Sequence, residues 1–108
     1  MAHKASIIVL GGAHMDLLGL TDGDAAGTSV AGAVTRQAGG VAFNISRDLS
    51  LLGAEPFLIS AVGDDDDGRT VQAELDRLGI EHALLIEPDF PTGTYLALVH
   101  RCGTLLGA

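Results

Sequence analysis

Three short stretches of this chain carry residues whose types and spacing could do chemistry. The first is Gly11-Gly12-Ala13-His14-Met15-Asp16, directly after an apolar run. An ionised carboxylate has two oxygens that only accept hydrogen bonds, so Asp16 could hold adjacent hydroxyls of a diol. It could equally tether a turn, and the spacing alone leaves both readings open. His14 is the one histidine close to it in sequence. His3, His14, His82 and His100 lack the i, i+4 spacing of a metal pair. The second stretch is Ala38-Gly39-Gly40-Val41-Ala42-Phe43-Asn44. Two glycines ahead of a helix let the backbone approach a ligand and leave free N–H groups at the helix start. Asn44, one turn in, offers both a donor and an acceptor. A glycine turn followed by a solvent-facing Asn is the competing reading. The third stretch, Gly63-Asp64-Asp65-Asp66-Asp67-Gly68, tempts a metal reading. Aligned on a calcium loop with Gly68 sixth, it would have Gly63 first and Glu74 twelfth, so the first ligand is missing. Acids ahead of a helix also suit its dipole. The expectation here is an N-cap and a tight turn, and no metal site.

These residues need elements to position them. Residues 6–10 (SIIVL) are a continuous β-rich apolar run ending at Gly11-Gly12 and read as a buried parallel strand. Residues 20–37 mix small and β-branched residues, with turn signals at Asp22-Gly23 and Ala31-Gly32. Short strands or a hairpin fit them, with a loop as the alternative. Val41, Ile45, Leu49 and Leu52 fall at helical spacing, and Gly53 stops that helix. Residues 57–62 are a second buried strand. Val71, Leu75 and Leu78 mark a second helix closed by Gly79. Residues 82–86 form a third strand. Residues 94–100 and 104–106 read as two more, joined near Arg101–Gly103. Strands alternating with helices predict an α/β fold with a parallel sheet and right-handed crossovers. The two short-strand stretches do not fit a plain doubly wound sheet and could pair with each other as a side sheet.

Composition narrows the partners. The chain has 108 residues and a formal net charge of −8. Its six cations, Lys4, Arg36, Arg47, Arg69, Arg77 and Arg101, are scattered. No basic stripe exists, so duplex nucleic acid is not an expected partner. The acidic balance favours a neutral polyol over a sugar phosphate. No apolar run approaches the ~18 residues of a membrane span, and no secretory pattern opens the chain. A cytoplasmic protein without a membrane partner is expected. The single cysteine, Cys102, excludes an internal disulfide and a multi-cysteine metal site, and reads as an ordinary strand residue. Neither the phosphate loop G-x-x-x-x-G-K-[ST] nor the dinucleotide fingerprint G-x-G-x-x-G is present. The ending Leu105-Leu106-Gly107-Ala108 is apolar, and three parallel strands would leave a sheet edge unpaired. The expectation is an N-terminal fragment, with a short protein completed by dimerisation as the alternative.

Taken in order, these motifs resemble the ribokinase-like (PfkB) family of carbohydrate and nucleoside kinases. The matching residues are Gly11 to Asp16, Gly39-Gly40 to Asn44, and Leu52-Gly53. They continue with Val62-Gly63-x-Asp65-x-x-Gly68, Leu78-Gly79-Ile80 and Thr92-Gly93-Thr94. Each motif is weak, whereas the ordered set, spanning nearly the whole chain, is specific. Gly-Gly-Val-Ala-Phe-Asn and the strand entry Thr94-Tyr95-Leu96-Ala97 look most like the pseudouridine-kinase-like branch. One departure is that Phe43 and Val41 stand where many relatives carry Lys or Arg, which again speaks against a phosphosugar. Phe43 is expected to pack rather than stack on a ligand.

The resemblance implies a Rossmann-like parallel sheet with a small β-sheet lid. Residues 1–108 would be the N-terminal part of one ribokinase-like domain. Its core would be about 5–19 and 38–91, and its lid strands about 20–37 and 92–108. It implies that Asp16 binds substrate hydroxyls, that Gly39, Gly40 and Asn44 line the same pocket, and that His14 is a polar contact. The full-length enzyme would use ATP and Mg2+ to phosphorylate a hydroxyl of a sugar or nucleoside. Its base would lie in a G-A-G-D motif that these residues lack, so no catalytic residue is expected here and the chain alone should be inactive. A homodimer through the lid is a further expectation. Two other classes stay open: a non-catalytic module dimerising through its lid strands, and a nucleotide-binding Rossmann domain.

Overall fold

The computed structural model describes residues 5–24 and 27–108; His3 and Lys4, two of the charged or titratable residues considered above, lie outside them. In chain order the elements are β1 (Ser6–Leu10), β2 (His14–Thr21), β3 (Gly32–Gly39), α1 (Val41–Leu51), β4 (Glu55–Gly63), α2 (Asp66–Arg77), β5 (Glu81–Glu87), β6 (Thr94–His100) and β7 (Leu105–Gly107). They form two sheets. The first is parallel, ordered β1-β4-β5. The second is mixed, ordered β3-β2-β6-β7, with β2 antiparallel to β3 and parallel to β6.

The first sheet forms because its strands read as near-continuous apolar runs separated by amphipathic helices. Two successive crossovers step in the same direction across the sheet, and right-handed connections then put both helices on one face. Alternation along the strands shows which face. Val9, Leu58 and Val62 are buried against Phe43, Val71 and Leu75 of the helices. The other face carries Ile8, Leu10, Phe57, Ile59, Ala61 and Leu85 in register, and Ile8 and Leu10 are 70% and 78% exposed. Phe43 is 2% exposed, so it packs into this core.

The second sheet begins earlier than the residue pattern suggests. The expected boundary between core and side sheet lay near residue 20, whereas β2 already pairs from His14, opposite Gly39. Residues 14–19 therefore leave the parallel sheet. The glycine pair at Gly11-Gly12 makes the switch, and only Gly11–Ala13 bridge the two sheets. Gly11 N–H still donates to Ile59 O, Ala13 N–H donates to Ser60 Oγ, and Met15 N–H donates to Gly93 O across the new sheet. Of the 20–37 stretch, Leu20 and Thr21 end β2 and residues 32–37 lie in β3, which pairs antiparallel with it. Cys102, expected in a strand, lies in the exposed turn between β6 and β7, because Gly103 takes a positive φ and His100 N–H closes onto Thr104 O.

The second sheet rests on the helices at its base through Met15 and Ala38, and the Arg36–Asp67 ion pair ties it to α2. Beyond that it stands free. The radius of gyration is 16.5 Å, against roughly 13 Å for a compact domain of this length. Among the described residues no helix is long and apolar enough to cross a membrane.

Candidate functional site

The junction of β1, β2, β3 and α1 gathers most of the residues singled out from the sequence. Gly12 turns its carbonyl onto the start of α1, where Ala42 and Phe43 N–H groups donate to Gly12 O at 3.1 and 3.4 Å. Two of the N–H groups expected to be free there are thus occupied, because a helix entering straight after a sheet switch is capped in part by the switch itself. The close approach requires glycine at position 40. Its φ is +99°, and a Cβ there would meet Gly12 O at 2.5 Å. A Cβ on Gly39 would instead strike Asp16 Oδ2 at 2.2 Å. The glycine pair therefore seats the helix with one residue and makes room for a carboxylate with the other. Asn44 follows one turn into α1, half-buried, with its N–H on Gly40 O.

Asp16 sits on β2, and strand alternation sets His14 and Asp16 on one face and Met15 and Leu17 on the other. Met15 is buried against the core, so the Asp16 face points away from it. Asp16 accepts no hydrogen bond from any described residue, and its side chain is 27% exposed. His14 Nδ1 lies 3.2 Å from Asp16 Oδ1 without the alignment of a hydrogen bond, and it has no other partner. The carboxylate is thus left with open lone pairs, and the His14 ring nitrogen beside it is shielded from solvent.

Asp65 presents the opposite case. It caps α2 by accepting from Gly68 N–H at 2.8 Å, and it also accepts from the N–H of Thr92 and from its hydroxyl at 2.8 and 2.6 Å. These bonds, the Thr92 hydroxyl foremost, hold its carboxyl below the usual carboxylate range. The Thr92 hydroxyl in turn accepts from Gly63 N–H. The rest of the acidic run is paired as well: Asp64 and Asp66 with Arg69, and Asp67 with Arg36. The run is a structural latch between β4, α2 and the entry to β6. No group of three or more potential ligands able to hold a metal occurs among the described residues.

Other polar places are closed to phosphate. Arg36, Arg47 and Arg77 line a groove on the core side of the second sheet, but each is paired, with Asp67, Asp48 and Glu74. At the start of α1 the Ala42 and Phe43 N–H groups are taken by Gly12, and at α2 Asp65 supplies a negative charge. The described residues therefore do not fit a nucleotide triphosphate or its Mg2+.

Residue pattern alone gave no role here to four residues. Ser60 holds Ala13 in place, Thr92 completes the latch, and the strand positions beside Asp16 on β3 and β6 are Gln37 and Tyr95. The alternation of His14 and Asp16 around buried Met15 was the available signal for a strand here.

The family model described as pfkB family carbohydrate kinase matches residues 4–105. Pseudouridine kinase of Escherichia coli (strain K12) is 32% identical over 110 residues, covering 100% of this chain and 35% of that protein. Among solved structures, a carbohydrate kinase from Agrobacterium tumefaciens superposes with a TM-score of 0.85 at 36% identity, over 95% of this chain and 34% of that one. Ribokinase from Giardia lamblia superposes with a TM-score of 0.84 at 25% identity, over 95% and 34%. The chain spans about a third of the length of the relatives it matches.

Proposed function

The chain belongs to the pfkB family of carbohydrate kinases, and from that premise we propose that it is the substrate-binding part of an ATP-dependent kinase acting on a hydroxyl of a sugar or nucleoside. The observation that carries the proposal is the contrast between its two acidic motifs. Asp65 is saturated by hydrogen bonds from its own chain, whereas Asp16 accepts none. An unsatisfied carboxylate on an open face is suited to two adjacent hydroxyls of a ligand, because charge-assisted bonds to an acceptor-only group are strong. Gly39 leaves room for Asp16, Gly40 and Asn44 form the adjoining wall, and His14 offers a further polar contact. The ligand is small and neutral; neither nucleic acid nor a membrane is a partner in this reading. The nucleotide and Mg2+ belong to residues beyond those described, and Asp16 anchors substrate rather than removing a proton. Work in the cytoplasm, and a homodimer meeting through the second sheet, whose outer strands β3 and β7 each have an unpaired edge, belong to the same proposal.

The test is a titration of the chain with ribose and with a nucleoside. Asp16→Asn keeps the shape and removes the charge, and affinity for both ligands is expected to fall at least about tenfold, since hydrogen bonds to a charged group contribute about 1.5–3 kcal/mol. Unchanged affinity would remove Asp16 from the site.

A further inference from the structure

The register of the second sheet puts Gln37, Asp16 and Tyr95 in one row across β3, β2 and β6. Residues directly opposite on neighbouring strands share a face, about 4.8 Å apart. The row therefore presents an amide, a carboxylate and a phenol side by side, over about 10 Å, on the open face. The next row in the same direction, Thr35, Leu18 and Ala97, is less polar, so functional groups concentrate at the level of Asp16. Neither the Gln37 amide nor the Tyr95 hydroxyl has a hydrogen-bond partner among the described residues. Tyr95 is 49% exposed, while Phe43 is buried. Tyr95 thus leaves about half of its surface to solvent on the strand next to Asp16.

The geometry points to Tyr95 and Gln37 as the residues that make this site prefer a nucleoside over a free sugar. The inference rests on the reading of Asp16 as the hydroxyl anchor. With the ribose hydroxyls on Asp16, one strand spacing of about 4.8 Å leads to the strand position of Tyr95. A planar base joined to the ribose reaches that far, whereas free ribose carries no ring there to stack. On the other side, Gln37 can donate to and accept from the ligand's remaining polar edge. Tyr95 supplies the stacking preference and Gln37 the second polar contact.

The experiment titrates the chain with uridine and with ribose and reads the ratio of the two affinities. Tyr95→Ala and Tyr95→Leu are expected to lower the preference for uridine about tenfold, within the range known for base stacking on an aromatic side chain. Tyr95→Phe should retain it, and Gln37→Ala should lower it by a smaller factor. Asp16→Asn should weaken both ligands together and leave the ratio in place. If Asp16→Asn weakens both ligands but the ratio stays unchanged in Tyr95→Ala and Tyr95→Leu, the role of Tyr95 is overturned and the anchor stands. If Asp16→Asn has no effect, or the unsubstituted chain binds neither ligand, the anchor and the inference built on it fall together.

Discussion

Gly39 and Gly40 are neighbours with different duties, and substitution should separate them. Gly40 has φ +99° and ψ 153°, a region essentially closed to L side chains, where a forced residue costs about 1–3 kcal/mol. Its Cβ would also meet the backbone of Gly12, which cannot swing away. Gly40→Ala is therefore expected to lower Tm markedly. At Gly39 the obstacle is the far end of the Asp16 side chain, which can rotate. Gly39→Ala should cost less in Tm but displace the carboxylate and weaken ribose binding. Thermal unfolding and a ribose titration of both variants check this, and equal Tm losses with equal affinities would contradict it. At the same scale, Phe43 shows how a motif position can serve packing: it sits beside the proposed pocket in sequence and inside the core in space.

At the scale of elements, the acidic run is explained by the latch it builds. Thr92, at the entry to β6, is 4% exposed and bridges Asp65 to Gly63 N–H. Thr92→Val keeps the shape and leaves a buried N–H unpaired, at a cost of about 1–3 kcal/mol, or a Tm lower by roughly 4–8 °C per kcal/mol. The acid's share is pH-dependent. The Asp65 carboxyl titrates lower in the folded chain than its ordinary value of 3.8, so its stabilisation is present above that value and is lost as pH falls through the folded value. Chemical denaturation should thus show Asp65→Asn less stable than the parent by a constant margin at neutral pH. The margin should shrink below about pH 3.8. A margin independent of pH would mean that the carboxylate's charge contributes nothing. Within the same latch the carboxylates of the four-aspartate run face different partners instead of converging.

For the whole molecule, the parallel sheet has helices on one face and none on the other. Ile8, Leu10 and Leu85 are 70%, 78% and 63% exposed on the bare side, and contiguous apolar surface of this kind drives association. The chain should bind a hydrophobic dye and self-associate with rising concentration. Replacing Ile8 and Leu85 together by Thr, a residue suited to strands, should reduce both effects with little loss of Tm. Val9→Thr, on the helix side, should instead destabilise. Dye binding unaffected by the Ile8/Leu85 pair would show that this face is not the sticky one.

The α/β class, both helices and the strands of the parallel sheet were legible in the sequence, because their signals are local: apolar runs, helical spacing and glycine stops recur within a few residues. The ordered motifs from Gly11 to Thr94 were legible too, and with them the family. What the tertiary structure alone decided lies where distant segments meet. The second sheet starts at His14 because β2 pairs with Gly39 and with the strand entered at Thr94, partners far apart in sequence. Asp16 and Asp65 look alike as carboxylates near glycines. Only the fold shows that Thr92 satisfies one while the other accepts no hydrogen bond from a described residue and has only His14 close by. The Gln37-Asp16-Tyr95 row has no trace in local pattern, since register across three strands is set by long-range pairing and not by any one strand's composition.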